Sequence, residues 1–226
     1  LSPAIVKNLH EDIILRWTYH SNAIEGNTLT LLETKVVLEG ITVGGKALRE
    51  HFEAINHRDA ILYVEDIIKK QEPFSEWQIR NIHQLILKNI DDENAGRYRQ
   101  QNVLISGATT NPPDHTLLND KMAQFIDWYN TEAHKLHPIE RAAKVHADFV
   151  SIHPFVDGNG RTSRLLMNLE LMKAGYPPSV ITVENRLAYY EALDQSMAYG
   201  NSEPFNSLVA AVVLEGFKPY QTVLGI

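Results

Sequence analysis

Twelve consecutive residues carry most of the chemistry this chain can offer: His153-Pro154-Phe155-Val156-Asp157-Gly158-Asn159-Gly160-Arg161-Thr162-Ser163-Arg164. They bring together a titratable imidazole, a carboxylate suited to a hard cation, two glycines and two arginines. The apolar run Leu165-Leu166-Met167-Asn168-Leu169 follows at once and reads as a helix. Gly158 and Gly160 let the backbone bend so that successive N–H groups converge into an anion-binding nest. The helix that opens there turns its positive end toward the same point. Arg161 and Arg164, three apart on one helix face, supply planar forks that pair with phosphoryl oxygens. Asp157 stands at the mouth of the loop, where a single protein carboxylate suffices for Mg2+, or Mn2+ in its place, when phosphates and water complete the shell. Asn159 is expected to donate its side-chain amide to a phosphoryl oxygen. His153 is expected to take the proton of an attacking hydroxyl. Together these residue types point to transfer of a phosphoryl or nucleotidyl group to an alcohol. The plainer reading is a simple Asp-Gly-Asn-Gly turn; the contiguity of the pieces and the helix they open argue against it. Neither the Walker Gly-Lys-Ser/Thr pattern nor the protein-kinase signature set is present.

The remaining sequence has to position that loop. Its 226 residues suit one domain with a packed core. The formal net charge of −7 argues against nucleic-acid binding, which needs clustered Lys and Arg. Without Cys there is neither a disulfide framework nor a thiolate metal site, and no His-x-x-x-His pattern suggests zinc. No apolar run approaches the roughly 20 residues that cross a bilayer. The chain opens Leu1-Ser2-Pro3, with no Met and no signal-peptide pattern, so it reads as a fragment, and a cytoplasmic location is expected. Ile5, Leu9, Ile13 and Trp17 recur at steps of four and predict a helix over 4–20. Capping-box patterns at Thr30-Leu31-Leu32-Glu33 and Ser75-Glu76-Trp77-Gln78 open two more helices, the first stopping at Gly40. Apolar periodicity predicts further helices near 46–70, 115–132, 138–151, 184–197 and 203–214. Residues 98–113 hold Val103-Leu104-Ile105 and then Asn111-Pro112-Pro113, the one credible β segment, read as a short hairpin. The expectation is an all-α bundle with a small β-hairpin flap, divided into N-terminal helices at 1–45 and a core at 46–226.

The twelve-residue run resembles the signature of the Fic family, His-Pro-Phe-x-Asp-Gly-Asn-Gly-Arg-x-x-Arg, with every position filled. Gly96-Arg97-Tyr98-Arg99 resembles the family's Gly-x-x-Arg element, Gln101 to Pro113 its target-docking flap, and Leu136-His137-Pro138-Ile139-Glu140 the start of the helix leading to the motif. The similarity covers roughly residues 15–215 and is strongest to animal-type and bacterial members with their own inhibitory helix. It implies the Fic fold and AMPylation, the transfer of AMP from ATP to a protein Ser, Thr or Tyr hydroxyl, including self-modification. By the same resemblance His153 is the general base and Asp157 holds Mg2+. Gly158, Asn159, Gly160 and Arg161 cradle the α- and β-phosphates, and Arg164 meets the γ-phosphate. Retention of Asp-Gly-Asn-Gly favours AMP over phosphate or phosphocholine. Pairing of two copies through the core is a further implication.

Upstream, Ser21-Asn22-Ala23-Ile24-Glu25-Gly26-Asn27 reads on its own as a helix end, with Gly26 as the stop and Glu25 as a solvated terminal carboxylate. The segment also matches the family's inhibitory motif, Ser/Thr-x-x-x-Glu-Gly/Asn. That match implies that Glu25 pairs with Arg164 and holds ATP unproductively. It equally allows Glu25 to align a water that removes AMP from a target. Transfer of another phosphate-containing group and a non-enzymatic nucleotide-binding domain are the other readings. Val103 and Ile105, flanking Leu104, present one side of the flap to an extended target segment. The resemblance sets one of Tyr189 and Tyr190, Tyr190 in preference, beside the adenine, although aromatics at such spacing more often belong to the core. Where relatives place an Asn about two turns later this chain has Met197, and Asn201 is the substitute offered. His146 reads as a packing residue.

Overall fold

The computed structural model describes residues 2–226. Nine α-helices occur among the described residues: α1 (Pro3–Ile24), α2 (Leu31–Leu38), α3 (Leu48–Lys69), α4 (Glu76–Leu87), α5 (Leu118–Thr131), α6 (Pro138–Ile152), α7 (Asn159–Lys173), α8 (Arg186–Tyr199) and α9 (Glu203–Leu224). Their ends follow local chemistry. Ser2 caps α1 through Ile5 N–H (3.3 Å), with Pro3 at the first position, where its missing N–H costs nothing. α1 closes in a Schellman turn: Gly26 N–H donates to Ala23 C=O and Asn27 N–H to Asn22 C=O, both at 3.1 Å, with Gly26 at φ +98°. This turn fixes where Glu25 points. At α2 the capping box forms in both directions, Glu33 N–H to Thr30 Oγ1 (3.1 Å) and Thr30 N–H to Glu33 Oε2 (2.8 Å).

α7 is the hub. Asn159 and every residue from Arg161 to Leu171 are buried, so no face of α7 meets water over that stretch. A helix buried on all sides must be covered on all sides. One cluster lies against it through Leu165, Leu166 and Leu169, built with Trp17 of α1, Ile61 and Val64 of α3, Ile79 and Ile82 of α4, Phe125 of α5 and Phe149 of α6. A second lies against Met167 and Leu171 and gathers Ile24, Ala143, Tyr189, Leu193, Phe205 and Val209. α6 and α7 pack along each other, joined by the loop 153–158. The catalytic candidates thus sit on the corner between the two most interior helices.

Three elements differ from the sequence expectation. The 98–113 segment forms no strand; among the described residues there is none. Val103 and Ile105 are half-buried and Leu104 is 80% exposed, the alternation of a strand, but no partner strand pairs with it. The segment is held by side chains instead: Thr109 N–H and Oγ1 donate to the Asp194 carboxylate of α8 (2.7 and 2.6 Å), and Asn102 Nδ2 to Asp114 Oδ2 (2.8 Å). Ser75 precedes α4 as expected, but its hydroxyl bonds the Gln78 side chain and leaves the helix end uncapped. α9 runs to Leu224 rather than 214. Pro219 is tolerated because the carbonyl it deprives of a donor belongs to exposed Glu215.

Candidate active site

The loop 153–158 carries backbone polar groups into a packed interior, so each needs a partner. His153 ends α6 at φ +49°, ψ 57°, a left-handed conformation that a non-glycine residue adopts only under constraint. The constraint comes from Arg99, whose N–H donates to Pro154 C=O and whose Nε donates to His153 C=O, both at 2.9 Å. Arg99 also donates to the carbonyls of Gln101 (2.9 Å) and Pro113 (2.6 Å), tying both ends of the flap to the same corner. His83 supports the far side. Its Nδ1 accepts from Gly96 N–H (2.9 Å), so Nε2 carries the proton and donates to Asp157 C=O (2.8 Å). Its ring lies 3.5 Å from that of Phe155 and parallel to it. Burial pushes the His83 pKa down to about 4, which keeps it neutral at pH 7.

Asn159 departs from its expected role. Its Oδ1 accepts from Phe155 N–H (3.0 Å) and its Nδ2 donates to Phe155 C=O (2.9 Å), so both ends of the amide are spent closing the loop. An anion would meet its backbone N–H. Gly158 takes φ +77°, and a Cβ there would stand 3.1 Å from Ile86 Cγ2, so a side chain is excluded twice over. The first closing bond of α7 runs from Thr162 N–H to Gly158 C=O (2.9 Å). The N–H groups of Asn159, Gly160 and Arg161 therefore lack a helical acceptor.

Four charges ring this helix end. Arg161 is buried, with Nη2 3.2 Å from Asp157 Oδ1 and Nη1 3.3 Å from Glu53 Oε1; its Nε and Nη1 have no hydrogen-bond partner. Asp157 also accepts from Gly158 N–H (2.6 Å) and from Arg49 Nη2 (2.5 Å). Burial favours the protonated acid, yet Arg161, the Gly158 N–H and Arg49 outweigh it and hold the Asp157 pKa below the usual carboxylate value. Arg49 bonds Glu53 as well (3.1 Å).

Every nitrogen of Arg164 is engaged. Nε donates to Ser21 Oγ (3.1 Å), Nη2 to Ser21 C=O (2.8 Å) and to Glu25 Oε1 (2.7 Å), and Nη1 to Tyr189 Oη (3.3 Å). The Glu25 carboxylate lies over Gly160 so closely that a Cβ there would collide with its Oε1. A negative oxygen thus already lies against the first turn of α7. His153 is largely buried and its Nδ1 has no partner within hydrogen-bond distance. Burial lowers its pKa, opposed by the nearby Val150 carbonyl, so the ring is neutral near pH 7.

Ser21, Glu25, Gly160 and Arg164 therefore meet at one point, while Arg161, from the same turn of α7, pairs with Asp157 and Glu53. The adenine-side candidates divide. Tyr189 is 1% exposed, with its hydroxyl on Arg164 and 3.0 Å from His146 Nε2, so it supports Arg164 and presents no face to a base. Adjacent residues on a helix point about 100° apart, and here packing turned Tyr189 inward. Tyr190 is 40% exposed and donates to Ile24 C=O (3.3 Å) at the end of α1. Asn201 lies past α8 and is exposed, with only its backbone N–H bonded, to Gln195 C=O. His146 is buried between Ser163 and Tyr189, each 3.0 Å away.

The architecture and this corner have known counterparts. The family model described as Fic, Fic/DOC family, matches residues 73–171. A Fic domain-containing signaling protein from Bacteroides thetaiotaomicron superimposes with a TM-score of 0.90 at 31% identity, covering 100% of this chain and 92% of that one. The chain belongs to the Fic/DOC family. C. elegans Fic-1 (aa134–508) aligns with a TM-score of 0.89 at 34% identity, covering 100% of this chain and 66% of that one. Protein adenylyltransferase Fic of Nematostella vectensis is 42% identical over 208 residues, or 91% of this chain and 48% of the relative. The Fic chain described here thus spans about half the length of the curated relatives it matches.

Three residues of this Fic site escaped the sequence reading, Arg49, Glu53 and His83, as did the double role of Arg99. Arg49 and Glu53 are spaced i,i+4, which by itself signals only a surface ion pair on α3. His83 belongs to no motif in the sequence. The one usable signal was its place on the buried face of α4, flanked by Ile79, Ile82 and Ile86.

Proposed function

We propose that this Fic chain transfers AMP from ATP to a Ser, Thr or Tyr hydroxyl of a target protein, with pyrophosphate as the other product, and that α1 holds the reaction in check. The observation that carries the reading is the Glu25 carboxylate bonded to Arg164 and lying against Gly160 in the first turn of α7. The chain's own anion holds the arginine beside a pre-formed anion site, so a polyphosphate is its natural competitor.

In this reading the free N–H groups of Asn159, Gly160 and Arg161 and the unpaired donors of Arg161 take the α- and β-phosphates. His153 receives the proton of the acceptor hydroxyl as its oxygen bonds the α-phosphorus. The bond from that phosphorus to the bridging oxygen breaks, and pyrophosphate carries the electron pair away. The flap, anchored by Arg99 to the same corner as His153, holds the target segment so that its hydroxyl faces the imidazole. Val103 and Ile105 line one side of that flap and exposed Leu104 the other. Among the described residues no group of three or more His, Asp or Glu could hold a metal. Asp157 fits a divalent ion that draws its other ligands from phosphate and water, and it already carries a stand-in cation, the Arg49 guanidinium. Mg2+ bound there would neutralise charge building on the leaving pyrophosphate.

Glu25 blocks this by holding Arg164 and by its own charge. Two unit charges 4 Å apart interact by about 4 kcal/mol at an effective dielectric of about 20, enough to displace a γ-phosphate. The test of reaction type is mass spectrometry of the Glu25→Gly protein after incubation with ATP and Mg2+, together with a pyrophosphate assay. An adduct with the mass of AMP and stoichiometric pyrophosphate are expected. A phosphate adduct with release of ADP would refute the reading.

A further inference from the structure

We infer that Arg49 is a displaceable occupant of the divalent-cation position, a positioning residue that sets how much metal the site demands. The inference rests on the reading of Asp157 as the metal carboxylate. Asp157, Arg161, Glu53 and Arg49 form a closed ring: Asp157 Oδ1 to Arg161 Nη2 (3.2 Å), Arg161 Nη1 to Glu53 Oε1 (3.3 Å), Glu53 Oε1 to Arg49 Nε (3.1 Å), and Arg49 Nη2 to Asp157 Oδ2 (2.5 Å). Two acids face two bases, so the ring is neutral and both Asp157 oxygens are engaged.

Its two cations are not alike. The Arg161 side chain is 2% exposed and springs from the first turn of α7, so it is fixed. The Arg49 side chain is 56% exposed and reaches across from the start of α3 to an Asp157 side chain that is itself 43% exposed. Water can reach this pair, and a hydrated divalent ion can too. The pair also has an exit. Arg49 Nε is already bonded to Glu53, so the guanidinium can leave Asp157 and remain neutralised by Glu53. Arg161 touches Glu53 as well, but its side chain is buried and has no path into solvent. A divalent ion therefore binds by expelling Arg49 from Oδ2 while Arg161 keeps Oδ1. The ring keeps Asp157 paired in the resting protein and imposes a competition on metal loading. Exposed pairs of this kind are worth roughly 0.2–1 kcal/mol, so the competition amounts to at most about fivefold in affinity.

The test separates this role from a general attraction of Arg49 for polyphosphate. The dissociation constant of α,β-methylene ATP, which cannot be cleaved by AMP transfer, is measured calorimetrically with Mn2+ and again with EDTA. The quantity read is the ratio of the two, for the unaltered chain, Arg49→Gln and Asp157→Asn, with folding checked by thermal denaturation. Removing the competitor should raise the gain from Mn2+ about two- to fivefold in Arg49→Gln, and Asp157→Asn should abolish most of that gain. An unchanged or smaller gain in Arg49→Gln, with the loss in Asp157→Asn intact, overturns the role given to Arg49 alone. A gain that survives Asp157→Asn overturns both this inference and the metal reading of Asp157.

Discussion

His153 shows how one side chain is prepared for its task by its surroundings. Burial disfavours the imidazolium, and the strained left-handed backbone at φ +49° aims the ring from the end of α6. Because its pKa lies below 6.5, the base form is present throughout the neutral range. The acid limb of the AMP-transfer profile should accordingly fall below pH 6.5, measured on the Glu25→Gly protein with saturating ATP. A limb above 6.5 would mean that the ring is not the titrating base. The residues of this corner were legible to different degrees. The stretch from His153 to Arg164 stood out because its parts are contiguous and open a helix. The link from Glu25 to Arg164 spans 139 positions, and only the resemblance supplied it; spacing alone made Glu25 a solvated carboxylate. The bonds of the Asn159 amide to Phe155 were not legible, because a side-chain amide serves a buried backbone as readily as a ligand. The sequence of α8 does not say which of two adjacent tyrosines faces in; packing buries Tyr189 and leaves Tyr190 exposed.

At the level of elements, the helices were readable from periodicity and caps, whereas the flap was not. Its alternation of Val103, Leu104 and Ile105 has the pattern of a strand, but a strand needs a partner, and Arg99, Asp114 and Asp194 satisfy the segment instead. Arg99 is the element's anchor, donating to one carbonyl at each end of the flap and to His153 C=O. Arg99→Gln should loosen flap and base together. The expected outcome is faster proteolytic nicking between residues 101 and 113 and at least a tenfold loss of AMP transfer, with α-helix content by circular dichroism unchanged. Nicking that is unchanged would show the flap to be held by the aspartates alone.

Across the whole molecule, α7 is wrapped by the two clusters that contain α1, so α1 is part of the core and not a detachable arm: Trp17 belongs to one cluster and Ile24 to the other. The same burial encloses His57, His83 and His146 in neutral form, each lowered chiefly by desolvation. The unfolded chain takes up protons at these positions below pH 6.5 and the folded chain does not. Stability is therefore full above 6.5 and lost as pH falls, by up to about 3 kcal/mol for His83 alone once pH reaches 4. Urea denaturation between pH 7 and 5, above the carboxylate range, should show this decline, and a flat curve would contradict the neutral burial. The central claim concerns the contact that joins the ends of this architecture, Glu25 on Arg164. Hydrogen bonds between charged groups contribute about 1.5–3 kcal/mol, or roughly ten- to a hundredfold in rate if they must be broken. The direct measurement is transfer of label from α-labelled ATP to protein by the unaltered chain, by Glu25→Gly and by Glu25→Gly combined with His153→Ala. A rise of about tenfold or more in Glu25→Gly, abolished in the double variant, is predicted. No rise, or label that persists without His153, would contradict the account.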